Sequence, residues 1–143
     1  MNPMWQFEEY VKSGIVKTQA PDFSRANALK RDAEQTLQFL KSIIEKIGIT
    51  EQNATTIIKM SYDLLMDMIR AKMLQKGFHA RGEGAHEATV AYLRVLQYRE
   101  QDVQFADQMR KARHWIMYYG KHYDKGYAEK AVQFLEKVYP QLK

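Results

Sequence analysis

ANALKRDAEQTLQFLKSIIEKIG, residues 26–48, carries apolar side chains at Ala26, Leu29, Ala33, Leu37, Leu40, Ile44 and Ile47. Steps of three and four place them on one face of an α-helix. Asp22 or Ser24 can cap the start by accepting a backbone N–H, and Gly48 can adopt the left-handed conformation that ends it, so the helix is expected over about 23–47. The same period recurs downstream. Thr50 offers a further N-cap, and Ala54, Ile58, Tyr62, Leu65, Ile69 and Met73 form a second stripe running to Gly77, predicting a helix over about 51–76. Ile57, Leu64, Met66 and Met68 lie off that stripe, so this helix is expected to be buried on more than one side, as a central helix or an oligomer seam.

Beyond it, residues 77–84 hold three glycines and no period, which reads as a flexible loop. A shorter helix is expected from about His86 to Leu96, burying Val90, Leu93 and Leu96, before the polar run Gln97 to Gln101. A fourth opens at Asp102, with Phe105, Met109, Ala112, Ile116 and Tyr119 as its apolar face, and ends at Gly120. The last buries Ala128, Ala131, Val132, Leu135 and Val138, with Pro140 as its stop. No alternating strand pattern is evident. The expected fold is all-α, an antiparallel up-and-down bundle of four main helices plus a shorter one, in a single domain over 1–143, with 1–22 an N-terminal arm or short helix and 23–141 the bundle.

Composition narrows the chemistry. The 143 residues, 45% hydrophobic and 27% charged, suit one packed core. Zero cysteines removes disulfides, zinc–thiolate sites and thiol nucleophiles. The histidines at 79, 86, 114 and 122 show neither HxxxH nor HExxH spacing, so no metal and no cofactor is expected. No apolar run is long enough to span a bilayer, and the N-terminus lacks a signal-peptide pattern, so the expected location is the cytoplasm, away from membranes. A formal charge of +5 favours phosphate-bearing partners only if it is clustered.

Arg113-His114-Trp115-Ile116-Met117-Tyr118-Tyr119-Gly120 presents an arginine, a polar residue, three variable residues and a tyrosine. With Val11-Lys12-Ser13-Gly14-Ile15-Val16 before Pro21-Asp22, and Tyr62-Asp63-Leu64-Leu65 followed by the glycine loop and His86, the chain resembles the HEPN family of nucleotide- and RNA-handling helical bundles. The resemblance covers nearly the whole chain from about Trp5. It implies a homodimer in which the signature segments of two protomers meet in a basic cleft. It further implies nucleotide or RNA binding, partnership with an MNT-type nucleotidyltransferase in some members, and metal-independent RNA cleavage in toxin-like members of toxin–antitoxin type. Arg113 matches the signature arginine, while His114 stands at the polar position and Tyr118 where ribonuclease members carry histidine. A phenol with pKa near 10 is a poor general base at neutral pH.

The helix geometry adds its own constraint. At about 100° per residue, Arg113 and Tyr118 lie roughly 140° apart, so a straight helix does not aim both at one atom; either the helix ends there or two protomers combine. Arg110, His114 and Tyr118 share one face opposite the apolar stripe. With the roles that the resemblance implies, the candidate nucleotide- or RNA-binding residues are Arg110, Arg113, His114, Tyr118, Tyr119 and His86, with Arg113, His114 and Tyr118 the catalytic candidates if the protein is an enzyme. Arg81-Gly82-Glu83-Gly84-Ala85-His86 is a second arginine–histidine pair, but its loop lacks the GxxxxGK[ST] pattern of a P-loop. Two further readings compete: an active endoribonuclease in which His114 or His122 supplies the missing imidazole, and an interaction module using the methionines between 60 and 73. Against all of these, Arg110, Lys111, Arg113 and His114 can simply be the solvated side of a helix, and Trp115, Tyr118 and Tyr119 core or interface aromatics.

Overall fold

A computed structural model describes residues 4–143. Met1, Asn2 and Pro3, assigned above to the N-terminal arm, lie outside the described residues. The described chain is mostly helical: α1 (Phe7–Lys12), β1 (Val16–Thr18), α2 (Phe23–Lys46), α3 (Ala54–Gln75), β2 (Phe78–Ala80), α4 (Ala85–Val95), α5 (Glu100–Tyr119) and α6 (Lys125–Leu142).

Helix α2 starts where expected, because the Asp22 carboxylate accepts the Arg25 N–H at 3.0 Å. It ends at Gly48, whose φ of 86° lets its N–H reach back to the Ile43 carbonyl at 3.2 Å. Ala26, Ala33 and Leu40 are buried, whereas Ile47, expected on the buried stripe, is 66% exposed beyond the last turn. Helix α3 is the centre of the molecule and packs against α2, α4, α5 and α6. Its whole stripe from Ala54 to Met73 is buried, as are Ile57, Leu64, Met66 and Met68. Those three methionines are therefore core residues, which removes them from any partner surface.

Several boundaries differ from the sequence reading for local reasons. Thr50 does not cap α3 directly. It exchanges reciprocal bonds with Asn53, Thr50 N–H to Asn53 Oδ1 at 2.8 Å and Asn53 N–H to Thr50 Oγ1 at 3.1 Å, forming a closed turn ahead of the helix. Glu100, not Asp102, opens α5, and the buried Asp102 carboxylate pairs with Lys137 at 2.8 Å. Asp124 caps α6 through the Tyr127 N–H. Pro140 does not stop this helix, which continues to Leu142. Tyr119, expected on the buried face of α5, is 68% exposed.

The main correction is a two-stranded antiparallel ribbon where no strand was expected. Val16, Lys17 and Thr18 pair with Ala80, His79 and Phe78. Three residues per strand are too few to show alternation, and the partners are far apart in sequence. The segment read as a flexible loop is thus partly strand. Gly77 makes the approach possible: at φ 81°, a Cβ there would lie 2.3 Å from the Gln19 carbonyl oxygen. The neighbouring bonds Gln19 N–H to Gly77 O and Asp22 N–H to Leu74 O, at 2.8 and 2.9 Å, complete the junction.

A candidate nucleotide cleft between two helices

The ribbon delivers the chain to the turn Gly82-Glu83-Gly84, whose glycines have φ of 82° and 87°. A Cβ on Gly84 would sit 3.0 Å from the Ile15 side chain, and the Arg81 N–H donates to the Ile15 carbonyl, so the N-terminal segment braces this turn. Helix α4 then begins at Ala85 with Gly84 as N-cap and no capping side chain; His86 is in its first turn and does not open it. The turn, this first turn of α4 and the outer face of α5 enclose a cleft of about 540 Å³. Glu83, His86, Glu87, Arg110, Arg113, His114 and Tyr118 line it.

The two arginine–histidine segments, treated above as separate candidates, thus contribute to one cleft within one chain. Helix α5 runs unbroken through Arg113 and Tyr118, and both reach that cleft despite their angular separation. Tyr119 does not line it but packs on Trp115, ring centroids 4.8 Å apart, while His114 lies 4.8 Å from Tyr118. His122, beyond the end of α5, is not among the lining residues.

Each cation of the cleft is held by a carboxylate. Arg110 donates through Nε to Asp107 at 2.7 Å and lies 3.8 Å from Glu87. Lys111 shares Asp107 at 3.3 Å. Glu87 in turn accepts the Tyr10 hydroxyl, which ties α1 to the cleft. Arg113 donates through Nε to Asp63 of α3 at 2.8 Å. The surface is therefore preorganised rather than a bare positive patch, and the Arg113 pair leaves its two Nη nitrogens for other acceptors.

His86 is set by its own neighbour. The Tyr62 hydroxyl lies 2.9 Å from His86 Nδ1. Burial pushes that phenol above its ordinary range, so it keeps its proton. Burial first, then the Arg113, Arg70 and Arg110 cations against the opposing Asp63, hold the imidazole below its usual pKa. A neutral imidazole accepting from Tyr62 at Nδ1 carries its proton on Nε2, where it is a hydrogen-bond donor.

Asp63, Glu87, Asp107 and Tyr10 were not among the sequence candidates. Asp63 is one of several charges in α3, with Lys59, Asp67, Arg70 and Lys72, and nothing in the sequence singles it out; Glu87 and Tyr10 meet only through the fold. Among the described residues, no group of three His, Asp or Glu side chains could hold a metal ion, and no helix is long and apolar enough to cross a membrane. No family model matches the chain, and no curated protein or solved structure matches it.

Proposed function

We propose that the chain is a HEPN-like domain that binds a nucleotide or RNA as a homodimer, with the cleft between α4 and α5 as its site. The supporting observation is convergence: His86 and the Arg110–Tyr118 segment, separated in sequence, line one cleft with guanidinium, imidazole and hydroxyl donors. Such donors suit phosphate oxygens. Dimerisation rests on the family resemblance and on the end of α5, where Trp115, Met117, Tyr118 and Tyr119 are 45%, 49%, 73% and 68% exposed within five residues, an aromatic surface of the kind that partners cover. Cleavage, if it occurs, runs through His114 rather than His122, because only His114 lines the cleft.

Fluorescence anisotropy with single-stranded RNA across a salt series tests this reading. Affinity is expected to fall steeply with salt and to drop about tenfold or more for Arg110→Ala and for Arg113→Ala, the loss of one charge-assisted hydrogen bond each. Binding that ignores salt and both substitutions would refute it. Incubating the same RNA with protein in chelator, with Arg113→Ala purified in parallel, decides whether binding is accompanied by cleavage.

A further inference from the structure

The cleft has a neighbour. A second hollow of about 360 Å³ lies between α3 and α4 and is lined by Asp63, Met66, Asp67, Arg70, His86 and Thr89, among others. Both hollows include Ala85 and His86 in their walls. The Arg113–Asp63 ion pair spans the same boundary, since Arg113 lines the first hollow and Asp63 the second. One divide, made of His86 and this pair, therefore separates two spaces, each within the range that accommodates a small organic ligand.

We propose that the hollow beside Asp67 and Arg70 is a second nucleoside subsite, so that the ligand is a strand of at least two nucleotides whose linking phosphate crosses the divide. The inference rests on the nucleotide-binding reading of the first cleft and adds the substrate class. The divide offers what a phosphodiester takes: the Nε2–H of His86 and the Nη groups of Arg113. The second hollow offers what a nucleoside takes. Asp67 provides carboxylate acceptors for a ribose hydroxyl or a base amino group. Arg70, 39% exposed and 3.5 Å from Asp67, provides a guanidinium for stacking or for the next phosphate. Neither Asp67 nor Arg70 lines the first cleft.

The test compares AMP with the 5′-phosphorylated dinucleotide pApA by calorimetry at low ionic strength, using wild type, Arg70→Ala, Arg70→Gln and Arg110→Ala. Wild type is expected to bind pApA about tenfold more tightly than AMP. Both Arg70 variants should lose most of that advantage while keeping the AMP affinity, which also certifies their fold, and Arg110→Ala should weaken both ligands. Equal binding of AMP and pApA by wild type overturns the second subsite and leaves the first cleft standing. So does an advantage that survives both Arg70 substitutions, or Arg70 variants that lose AMP and pApA alike while retaining the helical circular dichroism spectrum. If wild type binds neither ligand, the reading of the first cleft falls and the second subsite with it. Should both Arg70 variants fail to fold, Asp67→Asn, at a residue that lines the second hollow and not the first, takes their place in the comparison.

Discussion

Replacing Asp67 by Asn should make the protein more stable at neutral pH, although it removes a charge from an ion pair. Burial, only partly offset by Arg70 and reinforced by Asp32 and Asp63, raises the Asp67 carboxyl from 3.8 to about 6. A carboxyl with a higher pKa folded than unfolded holds its proton more tightly in the native state, so its ionisation destabilises the fold. That penalty is absent below about pH 4, grows between pH 4 and 6, and is fully present at pH 7. The gap between the two values corresponds to about 3 kcal/mol. The side chain is 27% exposed, and Asn forfeits the Arg70 contact at 3.5 Å, so a net gain of about 1–2 kcal/mol at pH 7 is expected. Urea denaturation of both proteins at pH 7 and pH 4 provides the assay. His79 and His86, both held below their usual pKa chiefly by burial, act in the opposite sense as pH falls, but they are common to both proteins and cancel in the difference. A variant no more stable than wild type at pH 7, or a difference that does not shrink toward pH 4, would refute the reasoning.

Tyr62→Phe removes the hydroxyl 2.9 Å from His86 Nδ1 and should cost about 1 kcal/mol; because a bond donated to Nδ1 favours the neutral ring, the His86 pKa should rise in an NMR titration, and a fall would dismiss the assigned tautomer. Gly77→Ala forces a side chain into a left-handed backbone against the Gln19 carbonyl and should cost at least about 2 kcal/mol by thermal denaturation, whereas Gly48→Ala, with nothing within 4 Å of the new methyl, should cost only about 1. Trp115→Ala combined with Tyr119→Ala should lower the self-association measured by sedimentation equilibrium without altering the unfolding midpoint of the monomer; a monomeric wild type at micromolar concentration would remove the basis for a two-protomer site.

What the sequence revealed depended on range. The α3 stripe was legible in full because a helix buried on several sides shows its pattern to every neighbour at once, and the limits of α2 were legible because Asp22 and Gly48 act within a turn of where they stand. The β1–β2 ribbon was not, since its signal is a pairing of short distant segments. The same holds at the site. Arg110, His114 and Tyr118 share a face by helical arithmetic, but that His86 joins them and that Glu87 meets Arg110 depend on how α4 packs beside α5, and Tyr10 reaches Glu87 only because α1 folds back onto α4. Tyr119 was misplaced because a stripe extrapolated into the last turn of a helix takes no account of where the packing partner ends.

The ribbon also has a bearing on the order in which the molecule assembles. Helices α2 and α3 are close in sequence and can associate early, whereas joining Val16 to Ala80 closes a long loop and pays its entropy at once. The turn that walls the cleft is braced by Ile15 and is fixed only after that closure. The scaffold therefore precedes the binding surface, and native-state hydrogen exchange should find the amides of β1, β2 and residues 81–85 opening at lower free energy than the middle of α3. Binding at the cleft would then be felt at the amino-terminal end of the chain, as slower exchange and slower proteolysis there.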